Sequence, residues 1–183
     1  VPRLGLADGF GSWAYHDSDD AQPQVDRALA WLGEHQTEDA LVFLHLMDPH
    51  VFYTAPEPHT NRFTGGLDPD GVPEKFNRWI VEGWEEEGTL SDAGRAWMEA
   101  RYDGEIAYLD QELLRLVGQL DALPGRTVLV LMSDHGEEFW EHGGYEHNHT
   151  LYDEVMRVVL WIRPPHGRAG APLRVDANAS LAD

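Results

Sequence analysis

At 183 residues the chain has the size of one domain and is long enough to bury a sizeable core. Its 42% hydrophobic and 25% charged residues exclude disorder as the default, and 33 acidic against 13 basic residues, a net charge of -20, leave none of the Lys/Arg clusters that nucleic-acid phosphates require. With no cysteine there is no disulfide, thiolate zinc site or cysteine nucleophile, and no apolar stretch approaches the ~20 residues of a membrane span.

Residues 1–22 are rich in Gly and Asp and read as loop. "VPRLGLADGF" opens without an initiator Met or a signal-peptide pattern, and "RVDANASLAD" closes without a helix cap. Both ends read as cut, so the expectation is one partial domain over 1–183, with 1–22 a loop-rich lead-in and 23–183 an α/β core segment.

Residues 24–35 carry Val25, Ala28, Leu29 and Leu32 at helical spacing. "ALVFLHL" (40–46) is a continuous apolar run that suits a strand buried on both faces. A Pro- and Gly-rich loop, 47–71, follows, of a length that usually marks function. A helix is predicted over 74–87. Ser91 caps a second, long one ending before Pro124-Gly125, with Ile106, Leu109, Leu113, Leu116, Val117 and Leu120 as its apolar stripe. "TVLVLMS" (127–133) and "VVLWIRP" (158–164) read as further strands, with a short helix at 151–156 between them. Helices alternating with buried strands predict an α/β fold: a mostly parallel sheet flanked by helices.

Ligands of such sheets sit beyond the carboxyl ends of the strands. Two loops with histidines begin there, one carrying His50, the other carrying four of the 10 histidines within residues 135–149. Asp134-His135 offers one cation a hard oxygen and an imidazole nitrogen, a pair suited to Ca²⁺, Mn²⁺, Mg²⁺ or Zn²⁺, with Gly136 letting the backbone bend close. In an extended segment His147 and His149 project to one side, leaving Asn148 opposite. So placed, they could bind a second metal, hydrogen-bond an anionic substrate or protonate a leaving group. His50 is placed to reach a substrate oxygen or act as a general acid. His45 reads as a core histidine, His142 as a residue that shapes its loop, and the glutamates of 137–146 as mostly solvated.

Together "FLHLMDPHVFYTAPEP", "RYDGEIAYLDQELLRLVGQL" and "TVLVLMSDHGEEFWEHGGYEHNHTLYDEVMRVVLWIRPP" resemble, in order and at plausible spacing, the sulfatase branch of the alkaline phosphatase superfamily. The resemblance implies hydrolysis of sulfate esters, relatives acting on phosphomonoesters, phosphodiesters or phosphonates. It implies one divalent metal, usually Ca²⁺, in some relatives Mn²⁺ or Mg²⁺. Residue by residue, Asp134 and His135 match the second pair of metal ligands. His50 matches the histidine that contacts the sulfuryl or phosphoryl oxygens.

Many members carry an anion-binding lysine just before "LYDE". Here "HNHTLYDE" has none, and His147 or His149 takes that role, Asn148 being the alternative occupant of the lysine's place. His50 and His149 are the expected catalytic pair; His50, His147 and His149 are the expected substrate contacts. The family nucleophile, a Cys or Ser of a Cys/Ser-x-Pro-x-Arg motif matured to formylglycine, or a threonine in transferase relatives, has no match in this sequence. The segment is thus expected to supply half an active site and to be inactive alone. Its expected partner is a small-molecule or glycan sulfate or phosphate ester. The resemblance allows a periplasmic or extracellular setting; the oligomeric state stays open. The alternatives are a phosphodiester or phosphonate hydrolase, a phosphoglycerol or phosphoethanolamine transferase, and a non-catalytic domain that keeps the fold.

Overall fold

The structure, a computed structural model, describes residues 7–14, 20–165, 173–176 and 180. Its helices begin where side chains can take up the free N–H groups of a first turn. Helix α1 (Ala21–Glu34) is capped by Asp20, which accepts from Gln22 N. Helix α2 (Arg78–Glu87) is capped by Asn77 and closed by Gly88 in the left-handed conformation. Helix α3 (Asp92–Ala122) is capped by Ser91, whose hydroxyl accepts from Gly94 N. The helix predicted over 74–87 therefore starts four residues later, at the residue after its Asn cap.

Helix α3 is the spine. Its C-terminal half meets α1 through Leu116 and Leu120, which pack with Val25. The face further toward its N-terminus is not the predicted apolar stripe. Ile106 is exposed, while Arg101, Glu105, Tyr108 and Glu112 are buried. That face serves the long loop of 47–71 rather than a sheet. Gly104 lets the loop come close, since a Cβ there would lie 2.6 Å from the His59 carbonyl oxygen. A second core gathers Tyr53, Phe76, Val81, Trp97, Met98 and Tyr145.

Strands are few. β1 (Leu129–Met132) pairs antiparallel with β4 (Leu160–Arg163), Val130 opposite Ile162 and Met132 opposite Leu160. β2 (Glu138–Phe139) pairs antiparallel with β3 (Tyr145–Glu146). A single turn, α4 (Asp153–Met156), leads into β4. Both sheets among the described residues are antiparallel, so the mostly parallel sheet of the sequence reading is not formed by them. Residues 40–46 form no strand, because no neighbouring strand edge meets them, and Leu41 and Phe43 stand 82% and 60% exposed. His45 is exposed too, not a core histidine. Leu129 packs on the α1–α3 core. On the opposite face of the same two strands, Val130, Met132, Leu160 and Ile162 are all exposed.

Candidate functional site

The loop carrying His50 and the loop after β1 meet at one place. The ring of His147 stacks on that of His135 at 3.9 Å and stands edge-on to that of His50 at 5.5 Å. Each ring is tethered through Nδ1. In His50 it donates to Val51 O at 2.8 Å, in His135 to Gly136 O at 2.7 Å, and in His147 to Glu137 Oε1 at 2.8 Å. An imidazole whose Nδ1–H is held by a carbonyl or carboxylate keeps Nε2 for a metal or substrate.

Asp134 lies beside this cluster with an exposed carboxylate, its Oδ1 3.7 Å from His135 Nε2. Bonds of about 2.0–2.6 Å from one cation reach both atoms at that separation, so the pair fits a divalent ion. Two ligands are a fraction of the six to eight oxygens Ca²⁺ takes.

Glu137 is the residue the sequence reading missed. Its side chain is largely buried; Oε1 accepts from His147 and Oε2 from the Tyr53 hydroxyl at 3.1 Å. Burial, with the charges of Tyr145 and Glu137 adding to it, holds the Tyr53 phenol well above its ordinary value, so it remains a donor. Glu138 is likewise buried, at 0% exposure. Its oxygens accept from Gly144 N at 2.7 Å, Thr150 Oγ1 at 3.1 Å and His149 Nε2 at 3.2 Å. The expectation of solvated glutamates is corrected for both. A hydrophilic loop folded back on itself needs internal acceptors for its N–H groups, and these carboxylates supply them.

His147 and His149 do not share a side. Glu146 and Asn148 have φ of 73° and 71°, so the backbone is not extended there. His149 turns to Glu138, and its Nδ1 contacts His147 O at 3.2 Å. The structure therefore brings His50, His135 and His147 together beside Asp134 and holds His149 apart from them. Gly136 also has another role than closeness to an ion: a Cβ there would lie 2.0 Å from Glu154 O, and its N–H donates to Val155 O. His142 stacks on Tyr152 and pairs with Glu154, shaping the loop. Ligand atoms of Glu138, His142 and Glu154 lie within 4.8 Å of one another. The Glu138 oxygens of that group already accept from the loop, at His142 N, Gly144 N, Thr150 Oγ1 and His149 Nε2.

Beside His50 a cavity of about 270 Å³ opens, bordered by Asp48, Phe52, Thr54, Lys75 and Glu105. Burial first, and then the Asp48 charge, pushes the Glu105 carboxyl up to about 8.

Three tethered imidazoles thus stand beside the exposed Asp134 carboxylate at one end of the β1–β4 strands. A family model described as Sulfatase matches residues 10–183, and the chain belongs to the sulfatase family, a family of hydrolases with an alkaline-phosphatase-like α/β fold. No curated protein matches the sequence.

Proposed function

We propose that the chain is part of a metal-dependent hydrolase of sulfate esters, giving it two metal ligands, Asp134 and His135, and two imidazoles for the ester, His50 and His147. The observation that carries this reading is the meeting of three Nδ1-tethered imidazoles beside Asp134 in a member of the sulfatase family. A divalent cation at Asp134 and His135, Ca²⁺ by preference, would offset charge on the transferring group. His50 and His147 keep Nε2 free for the ester: protonated there as well, as imidazolium ions, they would donate to nonbridging oxygens or pass that proton to the departing alkoxide. Glu137 fixes the tautomer of His147. His149 supports the loop through Glu138 and leaves the ester contact to His147.

The nucleophile and the remaining metal ligands belong to a preceding part of the same domain. That part also supplies the strands that cover the exposed apolar face of β1 and β4 and pair with residues 40–46. A phosphate diester or phosphonate is the second reading. It is favoured because the site's anion contacts are imidazoles rather than an ammonium that would stay charged at every working pH.

In the full-length protein with Ca²⁺ or Mn²⁺, Asp134→Ala is expected to lower kcat/KM for an aryl sulfate by two orders of magnitude or more, in line with roughly 2.7–4 kcal/mol per transition-state contact. Unchanged activity would refute the reading, and a preference for an aryl phosphate diester over the sulfate would select the second one.

A further inference from the structure

His50 sits on a loop that α3 grips at both ends with one side chain. The Glu105 carboxyl hydrogen-bonds the Asp48 carboxyl two residues before His50 and accepts the backbone N–H groups of Thr54 and Ala55 after it. One helical turn away, Arg101 Nε donates to Tyr53 O at 2.9 Å. We propose that Glu105 is a positioning residue for His50, its carboxyl stapling the two ends of the loop so that the ring stands against His147.

The inference rests on the reading that His50 contacts the ester. Packing alone does not account for a carboxyl here. At 4% exposure an apolar side chain would fill the space at less cost than a group that must find partners. Two carboxyls can share a hydrogen bond only when one of them keeps its proton. A protonated Glu105 then meets every need, its O–H directed to Asp48 and its carbonyl oxygen to the two amides. Burial raises Glu105 into the range where it does so at neutral pH. The charged or titratable groups facing it are Asp48, His50 and Lys75 around the cavity, Asp20 ahead of α1, and Arg101 on α3. Once Glu105 loses its proton, two carboxylates face each other and the staple opens, so the position of His50 becomes a function of pH on the alkaline side.

The test uses the full-length protein and an aryl sulfate. Glu105→Ala is expected to lower kcat about 10- to 100-fold with KM moved less, as misplacement of an orienting group does. Glu105→Gln offers an N–H to Asp48 and an oxygen to the amides. It should therefore keep kcat within about threefold at pH 7, while losing the fall in activity that the wild type shows as pH rises past Glu105's titration. His50→Ala is the control. If it lowers kcat and Glu105→Ala does not, the positioning role is wrong and the reading of the site stands. If His50→Ala changes nothing, the reading falls and the inference with it. Should Glu105→Ala fail to fold, the alkaline limb of Glu105→Gln decides, and a limb identical to wild type overturns the proposal.

Discussion

The Tyr53 hydroxyl, Glu137 and the His147 ring form a buried line of hydrogen bonds ending at the site. Because the phenol keeps its proton, both oxygens of Glu137 act as acceptors, and His147 must carry its proton on Nδ1. Glu137→Gln breaks this logic, since one amide end can only donate. With its N–H toward His147 the amide forces the other imidazole tautomer, and with its N–H toward Tyr53 it leaves the phenol proton without its acceptor. In the full-length protein, kcat/KM for the ester is expected to drop about 10- to 100-fold, as for other groups that orient a catalytic imidazole, with little change in metal affinity. Steady-state kinetics beside calorimetric metal titration would check both halves, and a loss confined to metal affinity would contradict the assignment. The histidines and Asp134 stood out in the sequence as candidates because few residue types serve metal and anion chemistry. Glu137 and Glu105 were not, for a carboxylate shows no sign of burial in its local pattern. The separation of His147 from His149 follows from the backbone at Asn148, whose positive φ no alternation of residues announces.

At the scale of elements, the start of α3 was readable because a cap acts over three or four residues and Ser91 does so here. Asp20 and Asn77, by contrast, cap helices that start three residues before and four residues after the positions the sequence suggested. The burial pattern of α3 was less readable than its start. Its apolar residues pointed to one stripe, but a loop rich in polar backbone settled on another face, where Arg101 and Glu105 satisfy it. The turn after β1 depends on Gly136 for a related reason. Its backbone packs against α4 so closely that an added methyl would strike the Glu154 carbonyl. Gly136→Ala must push the segment carrying Asp134 and His135 away from α4, at a cost of about 1–3 kcal/mol for overpacking. A thermal melt should record that cost, and metal affinity should fall with it because the two ligands lie on the displaced turn. Wild-type melting with intact metal binding would show that the turn has room the geometry denies it.

For the whole molecule, two features stand in tension: a net charge of -20 and a sheet that turns apolar side chains outward. The charge disfavours approach of an anionic ester, and a cation at the proposed Asp134–His135 pair would invert the local sign. The apolar face is harder to reconcile with a free surface. Val130, Met132, Leu160 and Ile162 are adjacent on one face of the β1–β4 pair, opposite the side where Leu129 joins the helical core. Soluble surfaces seldom gather such residues without a partner to cover them. Reading the covering as a preceding part of the same domain gives a sharp test at Val130. On a face open to water, Val130→Asp should change stability by no more than about 0.5 kcal/mol. Beneath further strands in the full-length protein, it would bury an unpaired carboxylate and cost roughly 3 kcal/mol or more, lowering the urea midpoint or leaving the protein insoluble. A full-length variant as stable as wild type would mean that this face is never covered, and the partial-domain reading would fall with it.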